Sequence, residues 1–360
     1  MNLFFVRNAP SAMNALITAD QLDLSLDVVL LIHSEIDGYQ RWLSGFFDQQ
    51  PTTQIEYLPR IDELSPRRYR THGFRATQLD RLASVTRLLI RLGASRIILP
   101  RQDDTHEWLL YIAARRLDIK VDMTDEGMNQ TKFSAQRTQL CPKHETFFGK
   151  VRRGAKASIK RALVPEMASM FSESALMNAE RLVTTYPNQY SLANVREIVP
   201  VSTDQLNRTL PVPDDWNGQA LFFSGPLAED GYMSIEDNLS LLVSALQWLS
   251  SYYKCVPHVK FHPREAPGKA QALAQYVNYN TLPGQLAKLP GESFLVHRRV
   301  AIAAGFPSST LAFASEVASL ETICFLPSNF NEQRLFREAM CHFEKVFHQV
   351  RLQNVTVEQL

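Results

Sequence analysis

The sequence predicts an α/β protein of two doubly wound domains, each a parallel sheet with helices on its faces. Three observations carry that expectation. Short apolar runs of strand length alternate with longer stretches of helical period in the first third of the chain, the alternation returns in the last third, and a looser region separates the two series. A strand, a helix and a further strand in succession pair in parallel, because the crossover carries the chain back to the same end of the sheet.

Residues 3–6 and 27–32 are compact apolar strands, 39–47 is amphipathic, and 54–57 is a third strand. Residues 77–92 repeat apolar side chains at helical spacing, stop at Gly93 and lead into a strand at 96–99; a helix over 106–117 leads into a strand at 119–124. Between 143 and about 213 the periodicity weakens, and Pro200, Pro211 and Pro213 bracket an expected interdomain connection. The second series then runs through a strand at 220–224 that ends at Gly225-Pro226, a helix at 236–251, and a strand at 258–261 that ends at His262. A strand at 300–304 reaching Gly305, a helix at 311–320 and a strand at 322–326 complete it. Residues 1–195 are the expected N-terminal domain and 196–360 the C-terminal one, facing each other across a cleft. Residues 7–14 and 67–75 are expected loops of that cleft.

A chain of 360 residues with 45% hydrophobic content supplies cores for two ordinary domains. The formal charge of +1 gives no global attraction to nucleic acid or to an anionic membrane. The run at 150–161 holds Lys150, Arg152, Arg153, Lys156, Lys160 and Arg161 without an acid. It reads as a solvated face or as a local contact for anionic acceptor chains or lipid head groups, and without interleaved aromatics it does not suggest a nucleic-acid partner. Cys141, Cys255, Cys324 and Cys341 show neither Cys-x-x-Cys spacing nor a zinc pattern, so reduced thiols are expected. No uncharged segment approaches membrane-spanning length. A cytoplasmic protein is expected, with peripheral contact at the inner face of the cytoplasmic membrane left open through residues 150–161.

Three short motifs fall just after expected strands, where open parallel sheets bind their ligands: Asp125-Glu126-Gly127, His262-Pro263 and Ser308-Ser309. A carboxylate of the acidic pair can take a proton from an acceptor hydroxyl, with Gly127 permitting the turn that presents it. His262 can protonate or stabilise a departing phosphate, and Pro263 restricts the backbone that carries it. Ser308 and Ser309 offer hydroxyls and free amides to phosphate oxygens at a helix start. Ser224, Gly225, Lys260 and Thr310 are further nucleotide-binding candidates. Each motif also has an ordinary structural alternative: a solvated acidic turn, a packed strand-end histidine, an N-capping serine. The Gly-x-x-x-x-Gly-Lys loop and the Gly-x-Ser-x-Gly elbow are absent, which disfavours phosphoryl transfer from ATP and serine hydrolysis.

With Asp125-Glu126-Gly127, His262-Pro263 and Ser308-Ser309 in this order, the chain resembles bacterial sialyltransferases that build lipooligosaccharide termini and polysialic acid capsules. The resemblance implies a GT-B fold and an inverting, metal-independent transfer of sialic acid from CMP-sialic acid to a lipooligosaccharide- or capsule-type glycan, without a cofactor. It makes Asp125 the general base with Glu126 and Gly127 in support, His262 the general acid or phosphate stabiliser, and Ser308 with Ser309 the binders of the CMP phosphate. The N-terminal domain then holds the acceptor and the base, and the C-terminal domain the CMP-sugar. Two other readings stay open at this point: a GT-B transferase for another activated sugar, CMP-Kdo-like or UDP-linked, and a noncatalytic nucleotide- or glycan-binding protein.

Overall fold

The computed structural model describes residues 1–7, 9–32, 47, 53–59, 73–100, 105–124, 158, 160–167, 177–185, 194–210, 212–213, 216–229, 231–262, 264–284, 286–327 and 351–355. They divide into two compact units, Met1–Ser202 and Thr203–Leu360.

The first unit contains a seven-stranded sheet formed by β1 (Asn2–Val6), β2 (Val28–Ile32), β3 (Gln54–Leu58), β4 (Arg96–Leu99), β5 (Lys120–Thr124), β6 (Ala179–Thr184) and β7 (Val195–Pro200), in the order β3-β2-β1-β4-β5-β6-β7. Every pairing is parallel. Successive side chains of a strand point to opposite faces, and here both sets are buried. Leu3, Phe5, Val28, Leu30, Ile97 and Leu99 belong to one apolar cluster, and Phe4, Val6, Val29, Leu31 and Ile98 to another. Burial on both faces is why these strands read as unbroken apolar runs. Helices α2 (Phe74–Arg91) and α3 (Thr105–Arg116) bring Leu82, Val85, Leu89, Leu109 and Ile112 to the first cluster, while α1 (Ala9–Gln21) brings Ala12, Ala15 and Ala19 to the second. Gly93, at φ 60°, takes the left-handed position that ends α2.

The weak periodicity expected from 143 to 213 conceals two strands, β6 and β7, and the whole of β7 stays in the first unit. Both strands carry charges. Arg181 of β6 ties its strand to the sheet: the buried Asp122 carboxylate of β5 accepts from Arg181 Nη2 at 2.7 Å and Nε at 3.3 Å, and also from Arg96. The Asp122 contact raises the pKa of Arg181. Removing one partner of a buried ion pair leaves the others uncompensated, so Asp122→Ala is expected to destabilise the protein by about 3–5 kcal/mol. Urea unfolding followed by circular dichroism checks this. Residues 9–14, expected in a loop, instead begin α1; residues 67–72 of the other expected loop lie outside the described residues.

The second unit has a six-stranded parallel sheet, from β8 (Gly218–Phe223), β9 (His258–Lys260), β10 (Asn280–Thr281), β11 (Val300–Gly305), β12 (Glu321–Pro327) and β13 (Arg351–Val355). Their order is β10-β9-β8-β11-β12-β13. The direction of winding reverses between β8 and β11, the place where doubly wound sheets open a crevice for ligands. Among the described residues this unit has the α-helices α4 (Thr203–Thr209), α5 (Ile235–Tyr253), α6 (Lys269–Leu273), α7 (Gly291–Val296) and α8 (Ser309–Glu316). Phe222, Phe294 and Phe325 are buried, with Phe306 edge-on to Phe222 at 5.4 Å between ring centroids. Among the described residues no helix is long and apolar enough to cross a membrane.

Candidate active site

Register places the C-terminal motifs. Lys260 pairs with Phe223, Phe223 with Gly305, and Gly305 with Cys324, forming one row across β9, β8, β11 and β12. The segments after that row, 261–262, 224–225 and 306–308, therefore leave the sheet at the same level, on either side of the winding reversal. Motifs spread over 85 sequence positions, from Ser224 to Ser309, share one edge of the sheet.

His262 begins a tight turn in which the Glu265 amide donates to the His262 carbonyl at 3.0 Å and the His262 amide returns a bond to the Glu265 carboxylate at 2.5 Å. The Arg264 amide donates to His262 Nδ1 at 3.2 Å. A nitrogen that accepts carries no proton, so the neutral ring holds its proton on Nε2. Burial holds the His262 pKa down at about 4, and Arg264, Lys260 and Lys269 push in the same direction against Glu229. The site thus offers a neutral Nε2–H donor at pH 7, not a standing imidazolium. Pro263 lies outside the described residues.

Ser224 is buried, and its hydroxyl donates to the Glu265 carboxylate. That residue, a nucleotide-binding candidate in the sequence, braces the His262 turn. A Cβ on Gly225 would meet Leu227 and Phe306 at an ordinary 3.8 Å, so no protein contact demands glycine there.

Ser308 caps α8: its Oγ accepts from the Leu311 amide at 3.3 Å. The capping alternative is therefore realised, yet the hydroxyl proton and the first amides of the helix stay available to an anion, since a helix start leaves amides without intrahelical partners. Helix α5 begins differently, with Glu236 and Asp237 in its first turn, whereas α8 has no acid there. The acids disfavour an anion at the start of α5, and the start of α8 lacks that repulsion. The Ser309 backbone is the first residue of α8.

Glu292 of α7 reaches α8, and Lys260 of β9 interacts electrostatically with that carboxyl. Thr310 donates its hydroxyl to Glu292 Oε1 at 3.1 Å, and burial pushes the Glu292 carboxyl up while this bond and the Lys260 charge oppose that shift. Lys260, donating to the Ala287 carbonyl at 2.7 Å, is lowered to about 8 by burial against the pull of Glu292. It remains mostly cationic at pH 7. A Cβ on Gly291 would lie 2.8 Å from both Phe223 and Thr310, so glycine lets α7 seat Glu292 against α8. Sequence reading missed Glu292 and Glu265. The spacing of Glu265 three residues after His262, which suits a reciprocal backbone and side-chain bond, was the available signal.

His258 and His297 serve structure. His258, its pKa lowered by burial, packs edge-on against Trp216 at the amino end of β9, and His297 Nε2 lies 3.1 Å from the Leu210 carbonyl. His72 is outside the described residues.

In the first unit Asp125, Glu126 and Gly127 also lie outside the described residues. β5 ends immediately before them at Thr124, on the carboxyl edge of the sheet, two strands from β1. On that edge Arg7, just past β1, donates to the fully buried Glu107 of α3 at 3.1 Å. Of the basic run, Lys160 sits over the Phe74 ring at 5.7 Å and Arg161 donates to Ser158; the charges from 150 to 156 are outside the described residues.

Two parallel-sheet units in this order define a GT-B protein, and solved structures share that fold. Spinosyn forosaminyltransferase SpnP matches at TM-score 0.54 and 10% identity over 98% of this chain and 86% of its own. Spinosyn rhamnosyltransferase SpnG, solved with thymidine diphosphate, matches at 0.52 and 13% over 98% and 86%. The Neisseria meningitidis UDP-GlcNAc 2-epimerase matches at 0.51 and 11% over 99% and 88%. These likenesses show the fold alone. No curated protein sequence matches the chain. Residues 2–326 match the family described as alpha-2,8-polysialyltransferase, and the chain belongs to that family. It is a sialyltransferase, and therefore takes a nucleotide-sugar donor and a glycan acceptor.

Proposed function

We propose that the protein transfers sialic acid from CMP-sialic acid to a lipooligosaccharide- or capsule-type glycan with inversion and without metal. The observation that carries this reading is the shared sheet edge on which His262, Ser308 and the first turn of α8 follow register-paired strands. A phosphate on α8 meets the Ser308 hydroxyl and helix amides, with the Lys260 ammonium near neutral pH as a further positive charge. The acceptor hydroxyl gives its proton to Asp125 as its oxygen attacks the anomeric carbon, and the bond from that carbon to the CMP phosphate breaks. His262 Nε2–H donates to the departing phosphate oxygen, where the interaction strengthens as charge develops. These groups can neutralise the phosphate without a metal ion, and the reading invokes no cofactor. The base comes from the N-terminal unit and the donor-binding groups from the C-terminal unit. Cytoplasmic location, with residues 150–161 touching anionic acceptor or lipid at the inner membrane face, completes the reading.

The decisive experiment measures CMP release from CMP-sialic acid with galactose- and sialic-acid-terminated acceptors, with and without EDTA. Acceptor-dependent release that survives EDTA supports the reading. Release only from a CMP-Kdo-like or UDP-sugar, or CMP binding without turnover, overturns it.

Two further results are expected. Ser308→Ala removes both the cap and a phosphate contact, raising the donor KM about tenfold, as a lost hydrogen bond of about 1.4 kcal/mol would, and costing about 1 kcal/mol of stability. His262 titrates near pH 4 in ligand-free protein and at higher pH once CMP is bound, because the phosphate charge favours imidazolium. NMR of labelled histidine reads both titrations.

A further inference from the structure

We propose that Glu265 is the positioning residue of the His262 turn: its buried carboxylate, held by Ser224, Lys269 and the His262 amide, fixes the imidazole with its proton on Nε2. The proposal rests on the reading of His262 as the donor to the leaving phosphate.

The Glu265 side chain is 2% exposed, and three donors from three segments converge on it. Oε2 accepts the Ser224 hydroxyl from the loop after β8 and, at 2.5 Å, the amide of His262 itself. Oε1 lies 2.6 Å from Lys269 Nζ, whose side chain is 7% exposed at the start of α6. Lys269 also reaches Glu229 at 3.6 Å and the Gly225 carbonyl at 3.4 Å. Glu229 in turn accepts the Ala266 amide at 2.9 Å, fastening the chain just beyond the turn. All three partners of Glu265 are donors, so only a group that accepts on both oxygens satisfies the site.

The consequence for His262 is geometric. With its own amide pinned by Glu265 and its carbonyl bonded to the Glu265 amide, the His262 backbone is held at both ends of the turn. That places the Arg264 amide against Nδ1 and leaves Nε2 as the proton-bearing nitrogen. If the turn loosens, Nδ1 can take the proton, and a ring protonated there cannot donate through Nε2. Glu265 need not touch the donor to control it.

Glu265→Gln keeps the shape but turns one acceptor oxygen into an NH2 facing a donor. We expect kcat to fall about 10- to 100-fold, the size produced by losing an outer-shell partner, with the KM for CMP-sialic acid within about twofold. In ¹⁵N-histidine spectra, with the His262 signal assigned through His262→Ala, wild type shows an unprotonated Nδ1 and a protonated Nε2. The Gln variant shows a mixture. Should the buried lysine, left with Glu229 at 3.6 Å as its carboxylate partner, prevent folding, Glu265→Gln/Lys269→Met removes both charges and the same readouts apply. An unchanged tautomer with kcat within about twofold of wild type overturns the proposal. Full activity of His262→Ala overturns the donor role of His262 instead, and the tautomer measurement, which needs no turnover, still reports on Glu265.

Discussion

His262→Ala is expected to lower sialyl transfer about 10²- to 10³-fold, the cost of removing one positioned donor to developing charge, while leaving the thermal midpoint within a few degrees of wild type. The loss belongs in kcat, since the Nε2–H bond to phosphate strengthens only as the leaving group gains charge. Stability responds in the opposite sense to an ordinary charged contact. The folded pKa of His262, about 4, lies below its usual 6.5, so the unfolded chain binds more protons between those values. The neutral-histidine contribution to stability is complete above about pH 6.5 and is lost as pH falls towards about 4. His262→Ala should therefore flatten the pH dependence of stability between those limits while removing activity. Thermal unfolding from pH 4 to 7, beside a donor-turnover assay, measures both. Retained turnover would remove His262 from the reaction.

The strands most legible in the sequence are those buried on both faces, because their apolar runs need no alternation to be seen: residues 3–6, 27–32, 96–99 and 300–304 all fall within observed strands or one residue of them. β6 and β7 escape notice because Glu180, Arg181, Arg196 and Glu197 interrupt them, and the Arg181 charge is satisfied by Asp122 on a neighbouring strand. The two-residue β10 and the six-residue α7 are too short to carry a period. In the site, His262 and Ser308 are legible from their places after strands. Glu292 is not, because its partner Thr310 lies 18 positions away; Glu265 and Lys269 carry only local signals, the spacing of Glu265 from His262 and of Lys269 from Glu265, while Ser224 lies 41 positions from Glu265. Ser224 shows the converse, since its place after a strand is visible in the sequence while its hydroxyl bond to Glu265 is not.

Gly305→Ala is expected to disrupt the second unit, and Gly225→Ala to leave it folded. Both glycines follow or end central strands at the same edge, yet their surroundings differ. A Cβ on Gly305 would stand 2.3 Å from the Phe223 carbonyl oxygen, a backbone atom of the paired strand, and 3.3 Å from the Phe223 Cβ. No rotamer relieves a backbone contact, so β8 and β11 must separate where Lys260, Phe223, Gly305 and Cys324 form their row. Overpacking in a close-packed core costs about 1–3 kcal/mol, and a clash with backbone belongs at or above the upper end. Activity should fall further than stability alone requires, because moving β11 away from β8 moves Ser308 relative to His262, and displacement on the order of 1 Å can cost about 10²-fold in rate. At Gly225 the added methyl meets only ordinary contacts at 3.8 Å, so its variant separates steric need within the protein from need imposed by the donor. A folded Gly225→Ala with a raised donor KM places the nucleotide against that backbone. Unfolding curves and donor KM values for the two variants provide the measurement, and a stable, fully active Gly305→Ala would contradict the close strand approach on which the site's register depends.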